Sequence, residues 1–116
     1  MSRKYIVVKD RTPDTDEFLK IRKGEIVKVL KSYSQNDAWP DWMECIHRGV
    51  FGYIPLQYLE KLDTDQARLI KDYDAFEFKT KKGEVFILQE TLNGWAYGWK
   101  EHEPETKGWI PLDHLE

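Results

Sequence analysis

GYIPLQYLE at residues 52–60 is written again as GWIPLDHLE at residues 108–116, with six of nine letters the same. In both lines the glycine permits a tight entry, and the aromatic-Ile pair gives a brief strand. Proline then ends the ladder because it has no N–H to donate. Its fixed φ suits a 3₁₀ turn, in which residues three apart share one side. Pro55 and Tyr58 have that spacing, and so do Pro111 and His114. The reading is a proline ring beside an aromatic ring, at the surface, closing each of two similar units.

Upstream of each line the same blocks recur in the same order. KIRKGEIVKVL (20–30) and KTKKGEVFIL (79–88) share a Lys-Gly-Glu turn followed by β-branched and apolar residues. VVKDR (7–11) and LIKDY (69–73) precede them, and Trp42 in DWMEC and Trp95 in GWAYG follow. Repetition at this scale marks a duplicated supersecondary unit. The spacings differ where loops belong: the first copy inserts SYSQNDAWPD (32–41), the second EHEPETK (101–107). Both insertions are polar and carry proline, as surface loops do. The blocks are short apolar runs bounded by Gly, Asn, Asp and Pro, so they read as strands. An all-β chain follows, with two small barrels over 1–61 and 67–116 and a joint at 62–66. Barrels this small bury little surface alone, which predicts that they pack on each other.

The order of blocks resembles that of SH3 domains, twice in tandem and of a variant, bacterial type. VVKDR and LIKDYDA (69–75) stand at the Ala-Leu-Tyr-Asp-Tyr place, and LKIRKGE (19–25) and FKTKKGE (78–84) at the Lys-Gly-Asp place. DWMEC and NGWAYG (93–98) supply the tryptophan, and the Gly-aromatic-Ile-Pro lines close each copy. The resemblance implies a non-catalytic adaptor that binds proline-rich peptides in the polyproline II conformation, a preformed helix that is cheap to order. It implies a groove of Trp42, Pro55 and Tyr58 in the first copy, with Asp14, Asp16 and Glu17 as the acidic arm of the long first loop. For the second copy it implies Tyr73, Trp95, Pro111 and His114. Lys9 and Arg11 stand at tyrosine places of the first copy, and Lys71 at one of the second. Cations there favour a ligand with carboxylates over an ordinary proline-rich one. In the second copy the acidic arm shrinks to Phe76-Glu77.

Composition bounds the alternatives. The net charge of −3 opposes bulk nucleic-acid binding, which needs basic patches to displace counterions. The charge is uneven: residues 1–61 hold eleven Lys/Arg against nine Asp/Glu, and the remainder seven against twelve. Arg3, Lys4, Lys9, Arg11, Lys20, Arg22 and Lys23 are the one basic cluster a nucleic acid would use. The lone Cys45 excludes an internal disulfide and suits a reducing compartment. With no secretory signal and no membrane-length apolar run, the expected location is the cytoplasm and no membrane is expected as partner. Binding of envelope polymers, known for bacterial SH3-like repeats with Gly-Trp motifs, is the alternative function.

No cofactor or metal is expected. Cys45 and His47 share a strand face, but no second ligand pair at zinc spacing follows. His102-Glu103-Pro104-Glu105 reads as a hairpin tip, and no nucleophile, base or phosphate-loop pattern is present. Of the remaining tryptophans, Trp39, Trp99 and Trp109 fall outside the implied groove, and one or more is expected between the barrels.

Overall fold

The computed structural model describes residues 3–30 and 41–116. The insertion at 32–41, Trp39 included, lies outside the described residues apart from Asp41. Eleven strands and two 3₁₀ turns make up the described chain, which is all-β. In order, they are β1 (Arg3–Ile6), β2 (Lys20–Ile21), β3 (Ile26–Val29), β4 (Trp42–His47), β5 (Val50–Pro55), η1 (Leu56–Tyr58) and β6 (Leu59–Lys61). There follow β7 (Gln66–Leu69), β8 (Tyr73–Asp74), β9 (Val85–Leu92), β10 (Trp95–Lys100), β11 (Glu103–Pro111) and η2 (Leu112–His114).

These elements form two compact units, and the units do not coincide with the two sequence copies. One comprises residues 1–16 with 76–116, the other residues 17–75. The expectation of contiguous domains at 1–61 and 67–116 is therefore corrected. Each unit takes its opening strand from the other copy. The strand that runs into the VVKDR block, β1, pairs antiparallel with β9, Arg3 opposite Leu88 and Ile6 opposite Val85. The strand of the LIKDY block, β7, lies between β3 and β6, with Ala67 opposite both Val27 and Lys61. Residues 62–66 are not a joint between units: Leu62 N–H donates to the Gln66 carbonyl at 3.0 Å, closing a tight β6–β7 hairpin inside one unit. The chain passes between units at 16–17 and again at 75–76.

The same hydrogen bonds hold the exchanged strand in both units. In the 17–75 unit, Lys23 N–H donates to Asp72 Oδ1 at 2.8 Å and Gly24 N–H to the Leu69 carbonyl at 2.7 Å. In the other, Lys82 N–H donates to Asp10 Oδ1 at 2.7 Å and Gly83 N–H to the Val7 carbonyl at 2.8 Å. The aspartate repeated in VVKDR and LIKDY thus caps the Lys-Gly-Glu turn of the opposite copy. That turn needs glycine: φ is +92° at Gly24 and +99° at Gly83, a region costly for any residue with a Cβ. The turn's glutamate closes it from the other side, Glu25 accepting from Arg22 N–H at 2.7 Å and Glu84 from Lys81 N–H at 2.6 Å.

Alternation places the cores. In β3 the order is exposed, buried, exposed, buried, so Val27 and Val29 point inward. They join Leu19, Ile21, Met43, Cys45, Ile54, Ala67 and Leu69 in the buried set of the 17–75 unit. The other unit packs Val7, Phe78, Phe86, Leu88, Ala96 and Ile110, with Tyr5, Phe76 and Leu115 against them. The β4–β5 hairpin turns on Arg48-Gly49 and the β9–β10 hairpin on Asn93-Gly94, each pair with positive φ as a two-residue mirror-image turn requires. The EHEPETK insertion is not a free loop as expected. Glu103–Lys107 belong to β11, and the surplus residues pass as an irregularity where Lys107 faces Trp99 and Glu103 faces Lys100.

Candidate functional site

Both closing lines fold as their prolines dictate. Pro55 (φ −58°) and Pro111 (φ −57°) each precede a 3₁₀ turn, and each is the last residue paired to its tryptophan: Trp42 opposite Pro55, Trp95 opposite Pro111.

The strand exchange regroups the residues expected at the grooves. In the 17–75 unit Trp42, Pro55 and Tyr58 are joined by Tyr73, whose ring meets that of Tyr58 edge-on at 5.5 Å between centroids. The Tyr73 hydroxyl donates to the Tyr53 carbonyl at 2.9 Å, and the Lys71 ammonium lies over the Tyr58 ring at 4.5 Å. Assigning Tyr73 to a cluster with Trp95 is thereby corrected: Tyr73 arrives with β8, which pairs with β2. The expected exposure is also corrected. Trp42 is 6% exposed and Tyr58 7%, and Pro55 and Tyr73 are buried as well. With all four residues buried, this cluster is not an open furrow.

In the other unit the exchange delivers Lys9 and Arg11 to Trp95, Pro111 and His114. Arg11 is fixed by a reciprocal backbone pair with Thr80, 3.0 and 2.9 Å. Its guanidinium lies over the Trp95 ring at 5.2 Å from the centroid and meets the Glu77 carboxylate at 2.7 Å. Both charged side chains are mostly covered, 22% and 27% exposed, so the pair is screened less by salt than a surface pair, while burial adds a desolvation cost. The contact is off the hydrogen-bond line, since neither Arg11 Nη1 nor Glu77 Oε1 has a directed partner. The Thr80 hydroxyl is likewise buried without a partner among the described residues.

His114 is held against the exchanged segment by a 2.8 Å bond from Val8 N–H to its carbonyl. Burial pushes its imidazole below the usual histidine value; Asp113 opposes this, and Lys9 and Arg11 add to it. The net effect favours its uncharged form. Pro111 and His114 are half-buried and Lys9 exposed, so this is the more open of the two clusters.

Asp14, Asp16 and Glu17 are exposed, but the unit boundary divides them: Asp14 and Asp16 belong with residues 1–16, and Glu17 with 17–75. Sequence reasoning missed the two cation-on-ring contacts and the Arg11–Glu77 pair. The signal was present in the cations standing at tyrosine places, which need an aromatic face or a carboxylate when covered. Cys45 is fully buried, its Sγ 3.5 Å from the Met43 carbonyl, while His47 faces Glu25 at 3.5 Å. Among the described residues no three His, Cys, Asp or Glu side chains gather as metal ligands, and no helix is long and apolar enough to cross a membrane.

No curated protein and no solved structure matches the chain significantly. Residues 4–62 match the family described as variant SH3 domain. The match begins in β1 and ends just past β6, so it covers the first sequence copy as written and not either spatial unit. With half of its length matched and its repeated Trp–Pro pairing in place, the chain belongs to the variant SH3 domain family.

Proposed function

We propose that this chain is a non-catalytic protein-interaction module, an adaptor of two variant SH3-type units that docks a peptide segment or surface of another protein. Its family membership over residues 4–62 carries the reading. Supporting it, a second Trp–Pro pair and a second 3₁₀ turn recur in the chain's other copy. The contact residues are Trp42, Pro55, Tyr58 and Tyr73 in one unit, and Trp95, Pro111 and His114 in the other. Asp14, Asp16 and Glu17 serve as acidic contacts for basic flanks of a ligand.

Because Trp42, Tyr58 and Pro55 are covered in the free chain, docking on them includes an opening step. The apparent affinity is then lowered by the fraction of molecules that are open. Affinity should be modest and association slower than for a preformed groove. The test is a titration of the chain with proline-rich peptides bearing arginine or glutamate, together with capture from a lysate. Trp42→Ala would leave a large core cavity, at a cost of about 3–5 kcal/mol, so Trp42→Phe is the variant of choice. Binding weakened by Trp42→Phe supports the reading. No binding by peptide or lysate protein, with capture unchanged by the substitution, refutes it.

A further inference from the structure

Segment 3–11 lies in a slot of the 76–116 half and is bonded on both sides. Along one edge β1 pairs with β9. Along the other, Ile6 and Glu116 exchange backbone bonds of 2.9 Å, and Val7 bridges Leu115. Val7 is fully buried in the cluster of Phe86, Leu88, Ala96 and Ile110, and its N–H donates to the Glu84 carbonyl at 2.8 Å. Asp10 and Arg11 complete the docking through Lys82 and Thr80. None of these bonds requires the segment and the slot to belong to one molecule. Without the segment, β9 would present an open edge beside an apolar floor, which is a template for strand pairing. The floor asks for an apolar residue at the Val7 place, and the Lys82-Gly83 turn asks for an aspartate at the Asp10 place.

The connection that follows the segment is built to straighten. One end is pinned where Arg11 exchanges bonds with Thr80, the other where the Leu19 carbonyl accepts from Ala75 N–H. The same two points are joined by 75–80, a shorter stretch, so 11–19 carries slack. Between Arg11 and Lys20 it forms no strand or 3₁₀ turn, and it is exposed from Asp14 through Glu17. Pro13 fixes its own φ and keeps Thr12 extended, and repulsion among Asp14, Asp16 and Glu17 favours an open chain. The 17–75 unit keeps β2 through β8 and its closing bond whether the segment is docked or not. We infer that the slot also takes this segment from a second copy of the chain, two copies trading segments 3–11 to give a closed two-fold dimer. Each chain then donates one segment and receives one, so every docking bond is remade and no new surface is needed. Only the tether separates the two forms. A tethered segment acts at an effective concentration on the order of millimolar, so single chains prevail well below that and traded pairs above it.

The test has two arms, both on the full chain. In the first, equal parts of isotope-labelled and unlabelled wild type are mixed in mild denaturant, returned to buffer above millimolar concentration, and followed by sedimentation and filtered NOE spectra. A dimer should appear there and be absent at micromolar concentration, with cross-chain contacts from Val7 to Phe86 or Ile110. In the second arm, Val7→Asp spoils the segment and Ala96→Asp spoils the slot, because each puts a charge at a fully buried place. Each variant alone should stay monomeric. Mixed, the intact segment of one meets the intact slot of the other with no sound tethered competitor, so a one-to-one pair should form at least about tenfold more tightly than wild type self-associates. The inference is overturned if wild type stays monomeric above millimolar concentration, or if its dimer lacks the Val7 cross-chain contacts. It also fails if the mixed variants do not pair. Peptide binding is read in neither arm, so the adaptor reading stands or falls separately.

Discussion

At Cys45 the chemistry is set by position alone. The thiol faces a core that includes Met43 and Ile54, and burial pushes its pKa up to about 12, with Glu44 adding to the effect. In the unfolded chain a thiol titrates near ~8.5. A folded-state value above the unfolded one means the stabilising protonated form is fully kept below the unfolded pKa. That contribution is lost as pH rises from there toward the folded value, by up to about 1.4 kcal/mol per pH unit. Wild type should therefore lose stability between pH 8 and pH 10 faster than Cys45→Ala, as read by urea unfolding at both values. Equal slopes would contradict the burial. The same burial should make Cys45 inert to thiol reagents until the chain unfolds. Glu25 titrates in the opposite sense: the bond from Arg22 N–H, with His47 and Arg48, holds its carboxyl below the usual range. Its contribution is present above the unfolded pKa and fades as pH falls through the folded one. Glu25→Gln should accordingly blunt the acid limb of the stability profile.

Among the elements, the 3₁₀ turns were legible because proline restricts its own φ wherever it stands, and the strands because β-branched runs between glycines have few alternatives. The irregularities in β10 were not legible. Its register against β9 shifts between Tyr97 and Gly98, and at Gly98 an added Cβ would lie 2.0 Å from the Ile87 carbonyl oxygen. The sequence shows only a glycine in an aromatic strand, and nothing local says which backbone approaches it. Gly98→Ala must push a backbone apart inside a sheet, so it should cost more than the usual ~1–3 kcal/mol of overpacking. Gly52→Ala provides the comparison. There the nearest atom is Leu19 Cδ1 at 2.7 Å, a side-chain end and not backbone, but one packed in the core, and the loss should stay within ~1–3 kcal/mol. Thermal unfolding of the two variants checks the order; the reverse ranking would mean that β9 and β10 do not approach as described.

For the molecule as a whole, the exchange of opening strands was hidden because VVKDR and LIKDY carry the same pattern and fit the same turn cap, so either can complete either copy. Side chains and chain length decide. Only the exchanged pairing places Arg11 on Glu77 and Tyr73 beside Tyr58 and Tyr53. It also lets β6 pair with β7 across the short turn at 62–65, whereas pairing β6 with the VVKDR strand would close a loop of about fifty residues. By loop-closure entropy that difference is roughly 2 kcal/mol in favour of the hairpin. Residues 17–75 hold all of β2 through β8, and their ends meet where Ala75 N–H donates to the Leu19 carbonyl at 2.8 Å. This fragment matches neither sequence copy, yet it should fold alone with a cooperative, two-state transition of modest stability, as small domains show. The fragment 4–62 follows the family match but lacks β7 and β8, and must supply its own VVKDR strand. Closing that way sets Arg11 in place of Tyr73, away from Glu77, and removes the hydroxyl bond to Tyr53. Circular dichroism melts should rank 17–75 above 4–62 in Tm. If 4–62 proves equally stable, the exchange is not written in these side chains and the division at 16–17 and 75–76 loses its physical basis.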